Sequence, residues 1–212
     1  MAGPLEGLRV LDLGHFLAGP MVTMLLADHG ADVLHVDPPA GPRWRSPANA
    51  ALYRGKRVVR ADLTTPDGRE QVARLAATAD VVVDNFRPGV LARLGLDPDE
   101  LCRREPELVW CSLPGFPEND PRAGVAAWEG VVAAATGLYS GRHGDVAGDP
   151  VFSALPIAST FAAFMASHRI VGALLGRART GRGARIEVSL YEAAFQAVGS
   201  YAEGPISRRP DN

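Results

Sequence analysis

The chain opens with two short apolar runs separated by a helical pattern. Residues 8–13 are largely apolar and too few for a helix, which is typical of a strand buried on both faces of a parallel sheet. Pro20 suits the first position of a helix, and the helical run that follows ends at Gly30, a residue that readily adopts the left-handed conformation. Residues 31–36 form the second apolar run. The pattern predicts a strand, a helix and a strand, which together make a βαβ unit.

The same alternation continues along the chain and predicts one α/β domain. We expect a Rossmann-like, doubly wound fold with a mostly parallel sheet and helices on both faces. The domain, with long linking helices, is predicted over residues 1–199, and residues 200–212 are predicted to be an arm or a truncated edge. Further strands are predicted at 57–63, 79–84, 108–113 and 185–190, and further helices after Thr65, at 126–136, at 160–175 and at 191–199.

The turn after the first strand argues against two common ligands. Its glycines, Gly14 and Gly19, are too far apart for the dinucleotide fingerprint, and no lysine follows them as in a phosphate-binding P-loop. Ligands of open α/β sheets bind outside the carboxyl ends of the strands. Arg43 and Arg45 follow the second strand and could meet an anion there, although a solvated loop fits equally well.

A second basic stretch follows the strand at 79–84. Arg87 and Arg93 flank a helix start predicted at Pro88. Free backbone amides at a helix start, together with two guanidinium groups, suit a phosphate. The sequence therefore predicts a phosphate site here.

Two polar residues beside apolar helices are open to structural or chemical interpretation. Glu129 lies near the start of a predicted helix, where a surface-facing acid is favourable with the helix dipole. Ser159 precedes the long apolar helix, and serine is a strong N-cap. Either position is explained by structure alone, and either is also available for chemistry.

Composition limits the other classes of function. The formal charge of −2 and the isoelectric point near 6.2 give no reason to expect a nucleic-acid partner. Cys102 and Cys111 are too few for a disulfide framework or a metal site. We expect no signal peptide and no apolar run long enough to cross a membrane, and hence a cytoplasmic protein.

Five separated motifs, in the same order, resemble CoA-transferase family III. This CaiB/BaiF group includes formyl-CoA transferase and the α-methylacyl-CoA racemases. The resemblance extends from about Pro4 to Ala202. Its motifs lie at residues 5–13, 17–20, 25–33, 79–95 and 179–183.

The resemblance implies acyl-CoA as a substrate, with CoA passed to a second carboxylic acid and with no metal. It also implies which loops hold the CoA. The residues at the matching positions are Arg43, Asn85, Arg87, Pro88 and Arg93.

The catalytic position departs from the family pattern. In the transferases an aspartate opens the long helix and attacks the thioester, and the matching residue here is Ser159. A serine hydroxyl needs a base for that attack, and no neighbour in sequence supplies one. The racemases pair the same aspartate with a histidine, where this chain has Trp128. Glu129 matches an acidic position of the family and His15 lies in the first turn, so both are candidates to face the thioester.

Length is the second departure from the family. Its members are longer, continue into a small second domain that this chain lacks, and form interlocked dimers. We therefore expect an incomplete CoA-transferase chain that acts as a homo- or hetero-oligomer, completed by a chain that supplies the small domain. One alternative is a noncatalytic scaffold or regulatory subunit. Another is an enzyme with altered acyl-CoA chemistry, racemase-like or using Ser159 or Glu129.

Overall fold

A computed structural model describes residues 3–139 and 150–202, with side chains up to residue 199. The predicted arm lies outside the described residues, except that residues 200–202 continue the last helix.

The core of the molecule is one sheet of six parallel strands. The strand order is β3-β2-β1-β4-β5-β6, the order of a doubly wound nucleotide-binding sheet. This confirms the predicted fold class. The strands are β1 (Arg9–Asp12), β2 (Asp32–Asp37), β3 (Lys56–Arg60), β4 (Val81–Asp84), β5 (Val109–Ser112) and β6 (Ala184–Glu187).

Helices cover both faces of the sheet because successive strand side chains point to opposite sides. Val10 packs on the face covered by α1, α6, α7 and α8, whereas Leu11 packs on the face covered by α3, α4 and α5. The helices are α1 (Ala18–Asp28), α2 (Ala48–Leu52), α3 (Pro66–Ala77), α4 (Val90–Arg93), α5 (Pro98–Arg104), α6 (Glu129–Ala135), α7 (Ile157–Thr180) and α8 (Leu190–Ala202).

Two helices that position the candidate site run side by side. In a parallel sheet, a helix that leaves one strand and leads to the next begins at the carboxyl edge. Helix α1 connects β1 to β2, and α7 precedes β6, so both begin at that edge. They pack together through Ala18 and Val22 of α1 and the alanine-rich face of α7. Residues at the two helix starts therefore share one edge of the sheet.

The start of α7 differs from the prediction. The helix begins at Ile157, so Ser159 is its third residue, and the N-cap position belongs to Pro156, which makes no side-chain cap. The prediction that Ser159 is the N-cap is wrong. The free amides of this turn are instead satisfied by a side chain from another helix, described below.

The start of α4 also differs from the prediction. Helix α4 is only four residues long and begins at Val90, two residues after the predicted start at Pro88. Gly89 precedes it with a φ of 73°, in the left-handed region that favours glycine. The chain therefore turns sharply before the helix forms.

Helix α7 is longer and more apolar than expected. Its 24 residues satisfy the length and composition of a membrane-spanning helix, so the expectation of no such run is wrong. However, α7 packs against α1 and α8, and its face at Ala158, Ala162, Ala163 and Ala166 is fully buried. We interpret α7 as the core helix of a globular domain.

Candidate functional site at the carboxyl edge of the sheet

The turn after β1 is joined to the loop after β4 by two hydrogen bonds. The backbone N–H of His15 donates to Oδ1 of Asn85 at 2.8 Å, and Nδ2 of Asn85 donates to the carbonyl of His15 at 2.7 Å. Strands β1 and β4 are neighbours at the point where the strand order reverses, which is where open α/β sheets bind ligands. The structure thus brings two of the predicted site residues together.

The same turn is tight and strained. A Cβ on Gly14 would lie 2.8 Å from the Cα of Gly19, so the close approach of the turn to α1 requires glycine. Phe16 has a φ of 62° and is the one non-glycine residue with positive φ in the described part of the chain. Strain of this kind clusters at functional sites. It keeps the Phe16 ring exposed beside His15.

The surroundings of His15 disfavour its charged form. Burial lowers the pKa of His15 to about 4, and the positive charge of Arg43 contributes in the same direction. The imidazole is therefore neutral at pH 7. A neutral ring can donate one hydrogen bond to a ligand and accept another from it.

A buried polar network supports this turn from below. Oδ2 of Asp12 accepts hydrogen bonds from Lys56 Nζ at 2.9 Å and Thr23 Oγ1 at 2.7 Å, and lies 2.8 Å from Nδ1 of His35. Its Oδ1 accepts from the N–H of Gly14. Burial alone would raise the pKa of Asp12, but Lys56 and His35 outweigh it, so the pKa lies below its usual range. The network fixes the end of β1 and the turn that follows.

The network reaches a second carboxylate on β2. Nε2 of His35 lies 3.2 Å from Oδ1 of Asp37, and the hydroxyl of Tyr53 donates to the same oxygen at 3.2 Å. The sequence analysis missed these residues. The available signal was a set of polar residues within otherwise apolar strands, together with Lys56, the only lysine of the chain.

The three arginines predicted to bind CoA lie on different segments of the chain. Arg87 donates from Nη1 to the carbonyl of Gly124 at 3.0 Å, which ties the loop after β4 to the loop after β5. Arg93 lies on α4 with its guanidinium over Gly89. Arg43, Arg87 and Arg93 are all exposed.

A small cleft lies beside Arg87 and Pro88, and it also reaches Asp84 and Arg185. At about 150 Å³, the cleft is smaller than the pockets that usually enclose an organic ligand. Arg87 and Arg185 share its lining with five carboxylates, on Asp84, Asp97, Asp99, Glu118 and Glu187, so the cleft itself is not basic.

Glu129 and Ser159 meet at the start of α7. Oε1 of Glu129 accepts from the N–H of Ala158 at 2.8 Å, and Oε2 accepts from the N–H and the hydroxyl of Ser159 at 2.9 and 2.6 Å. Ser159 is buried, and Glu129 is half-buried. The carboxylate of α6 thus caps the first turn of α7 and satisfies two amides that have no partner within the helix.

This contact corrects two expectations from the sequence. Glu129 is not a surface-facing acid, because its carboxylate is engaged by α7. Ser159 also has an acidic partner, although that partner lies 30 residues away in sequence. Trp128 precedes Glu129 and is 66% exposed, with its ring packed over Gly130.

Among residues 3–139 and 150–202, no group of three or more His, Cys, Asp or Glu side chains could hold a metal ion.

A match along nearly the whole chain identifies its family. The sequence model of CoA-transferase family III matches residues 5–209. The chain belongs to CoA-transferase family III. The resemblance stated from the motifs is confirmed.

Two curated CoA-transferases are more than a third identical to this chain over the aligned residues. The CoA-transferase/lyase DddD of Marinomonas sp. (strain MWYL1) is 42% identical over 212 residues, which cover 98% of this chain and 25% of that protein. The succinate–glutarate CoA-transferase of Agrobacterium fabrum (strain C58) is 37% identical over 206 residues, covering 89% of this chain and 51% of that protein. The chain therefore spans a quarter to about half the length of these relatives.

Solved structures of the family show the same fold. Rv3272 from Mycobacterium tuberculosis superimposes with a TM-score of 0.86 at 34% identity, covering 98% of this chain and 60% of that one. A CAIB/BAIF family protein from Brucella suis superimposes with a TM-score of 0.89 at 33% identity, covering 100% and 60%. The Rossmann-like sheet and its helices are thus shared with family III members.

Proposed function

We propose that this chain binds acyl-CoA at the carboxyl edge of its sheet and takes part in CoA transfer between carboxylic acids. The observation that carries the proposal is the pairing of Glu129 with Ser159 at the start of α7. That carboxylate lies at the edge where α1 and the turn of His15 and Asn85 also begin. Exposed arginines suit the negatively charged phosphates of an acyl-CoA, and a carboxylate and a neutral imidazole are groups that can act at its thioester.

The CoA itself would be held by the predicted basic residues. The guanidinium groups suit its phosphates, and Asn85 fixes the turn against which the ligand would lie. The residues proposed for this role remain Arg43, Asn85, Arg87, Pro88 and Arg93.

We also propose that further protein completes the site, in a cytoplasmic homo- or hetero-oligomer. Three large apolar side chains on α7 support this proposal, because Phe161, Phe164 and Leu175 are 45%, 49% and 65% exposed. Exposed apolar patches mark contact surfaces. The relatives' additional length is a suitable source for the covering protein, supplied by a partner chain.

Transfer is tested with the assembled oligomer, an acyl-CoA and an isotopically labelled acceptor acid. We expect labelled acyl-CoA to form, and we expect Glu129→Gln to abolish it. Glu100→Gln changes the same residue type on the exposed side of α5 and should leave transfer unchanged. Product formation that survives Glu129→Gln would contradict the proposed site.

A noncatalytic scaffold is the second candidate function, and Ser159 at the family's aspartate position favours it. A scaffold predicts acyl-CoA binding without transfer by the chain alone, and transfer only after a second family III chain is added. In that mixture, Glu129→Gln and Ser159→Ala in this chain should leave the rate unchanged.

A further inference from the structure

We propose that Asp84 is a positioning residue of the acyl-CoA site. It holds the loop after β4, and that loop in turn holds the turn of His15 through Asn85. This inference rests on the proposed function, because it explains how two segments that would contact acyl-CoA are kept in place. Asp84 itself does not contact the ligand.

The carboxylate of Asp84 ties the start of the loop to the sheet. Asp84 is the last residue of β4, at the point where the strand order reverses. Its Oδ1 faces the loop and accepts from the N–H of Phe86 at 3.0 Å. Its Oδ2 faces β5 and accepts from Nε1 of Trp110 at 2.7 Å and from the hydroxyl of Ser112 at 2.5 Å.

Burial argues that this carboxylate acts through what it holds. Asp84 is 2% exposed, and its oxygens already accept from three donors. Burial raises the pKa of Asp84, although the hydrogen bonds from Ser112 and Trp110 oppose that shift. An apolar side chain would avoid the cost of burying a polar group. The loop that Asp84 fixes is therefore a better explanation for the carboxylate than stability alone.

The neighbouring strand ends in the same arrangement. Asp12 is the last residue of β1, and its Oδ1 accepts from the N–H of Gly14 while its Oδ2 is held by buried donors. In both strands the carboxylate thus holds the N–H two residues further on, which shapes the loop that follows. The repetition on two adjacent strands indicates a common role at this edge.

The two loops are in direct contact. Asn85 follows Asp84, and its side-chain amide both accepts from the N–H of His15 and donates to the carbonyl of His15. The ring of Phe86 contacts the ring of His15 edge-on, with 5.3 Å between their centroids. Because both contacts come from the residues that Asp84 fixes, a displacement of this loop would move His15.

The imidazole of His15 is the group that this arrangement presents to a ligand. Within residues 3–139 and 150–199, neither ring nitrogen of His15 has a hydrogen-bond partner. The ring is half-buried, and in its neutral form one nitrogen donates and the other accepts. Arg87 lies on the same loop as Asn85 and is exposed. Asp84 therefore positions two groups that suit an acyl-CoA.

The pKa of His15 tests this assignment. It is measured by NMR on the assembled oligomer, with 13C-labelled histidine in this chain, and the His15 signal is identified by its loss in His15→Asn. In wild type we expect a value of about 4. In Asp84→Ala the ring gains access to water, so its pKa should rise toward 6.5 by about one unit or more. Asn85→Ala removes the junction itself and should have the same effect.

The loss of charge in Asp84→Ala cannot produce that result, because removal of a nearby negative charge lowers the pKa of a histidine. The charged groups that act on His15 all remain, and they are Arg43, His35, Asp12 and Asp37. Asp80→Ala is the matched control. Asp80 precedes the same strand at its opposite end, where the carboxylate holds the N–H of Arg9 at 2.9 Å. The control should lose stability but keep the wild-type pKa of His15.

The affinity for acetyl-CoA, which carries the CoA moiety of every acyl-CoA, gives a second measurement. In calorimetric titrations of the assembled oligomer, Asp84→Ala and Asn85→Ala should each bind about tenfold more weakly, the effect of one or two hydrogen bonds. Because both changes act through His15, the double variant should be at most about twofold weaker than either single variant. Asp80→Ala should bind as wild type does.

Three results would overturn the inference. The first is an unchanged pKa of His15 in Asp84→Ala, and the second is a full additional tenfold loss of affinity in the double variant. The third is an effect of Asp80→Ala equal to that of Asp84→Ala, which would make the role of Asp84 purely structural. If wild type does not bind acetyl-CoA, the proposed function fails, whereas the NMR titration still decides whether Asp84 positions His15.

Circular dichroism of each variant verifies that the fold is retained. If Asp84→Ala does not fold, Ser112→Ala takes its place, because it removes one donor from the same carboxylate and leaves the other two. The pKa of His15 should then rise in the same direction. An unchanged pKa in both Ser112→Ala and Asn85→Ala would contradict the proposal.

Discussion

The buried ion pair beneath the first turn predicts a large loss of stability when one partner is removed. In Lys56→Met, the aliphatic stem remains but Nζ loses its bonds to Asp12, Thr23 and the carbonyl of Pro20. Both side chains of the pair are 0% exposed. Removal of one partner from such a pair costs about 3–5 kcal/mol, because the other charge stays buried without compensation.

Urea denaturation followed by circular dichroism measures this cost. With a slope of about 3 kcal/mol per molar, the midpoint of Lys56→Met should fall by about 1 to 2 M. Arg57→Met is the matched control. Arg57 follows Lys56 on β3, and its ion pair with Asp32 of β2 is exposed to solvent. An exposed pair contributes at most about 1 kcal/mol. Equal midpoint shifts in the two variants would refute the reasoning.

Three further predictions concern His15, Gly183 and Gly172. Because the pKa of His15 is lowered to about 4, the unfolded chain binds the proton more tightly between that value and about 6.5. The stability that neutral His15 contributes is fully present above pH 6.5 and declines toward pH 4. Between pH 7 and pH 5, the free energy of unfolding of wild type should therefore fall by about 2 kcal/mol more than that of His15→Asn. Gly183→Ala should destabilise by more than about 2 kcal/mol, because its Cβ would lie 2.0 Å from the Leu108 carbonyl oxygen. Gly172→Ala, in open space within α7, should stabilise by about 1 kcal/mol. Chemical denaturation measures each of these changes.

Opposite results would contradict each point. Equal pH dependence in wild type and His15→Asn would mean that folding does not lower the pKa of His15. Tolerance of Gly183→Ala would mean that the backbone contact is looser than described. Gly172 lies on the same face of α7 as Phe161 and Leu175, so this variant is measured in the isolated chain, where destabilisation would mean that the space beside Gly172 is not open.

The local signals at the start of α3 were interpreted correctly from the sequence. Thr65 caps α3 by accepting a hydrogen bond from Gly68, and Pro66 begins the helix, as predicted. Helix α5 has the same signals, an Asp97 cap followed by Pro98, yet it was not predicted. The cap and the proline at the start of α5 were therefore sufficient to predict this helix.

The candidate site depends on contacts that sequence spacing does not reveal. Ser159 has the sequence of an N-cap, but Glu129 from another helix supplies the cap and lets α7 begin three residues earlier. The pairing of His15 with Asn85 likewise depends on β1 and β4 becoming neighbours in the sheet. The residue types indicate which side chains could form the site, whereas the topology of the sheet determines which of them are in contact.

Hydrogen–deuterium exchange with and without an acyl-CoA tests the central claim most directly. If the ligand lies at the carboxyl edge, protection should increase in three separated segments, at residues 13–20, 84–93 and 156–160. The last turn of α3, which leads to the start of β4 and so lies at the amino edge of the sheet, serves as the internal reference and should be unchanged. Protection confined to other segments, or none at saturating ligand, would contradict an acyl-CoA site at this edge.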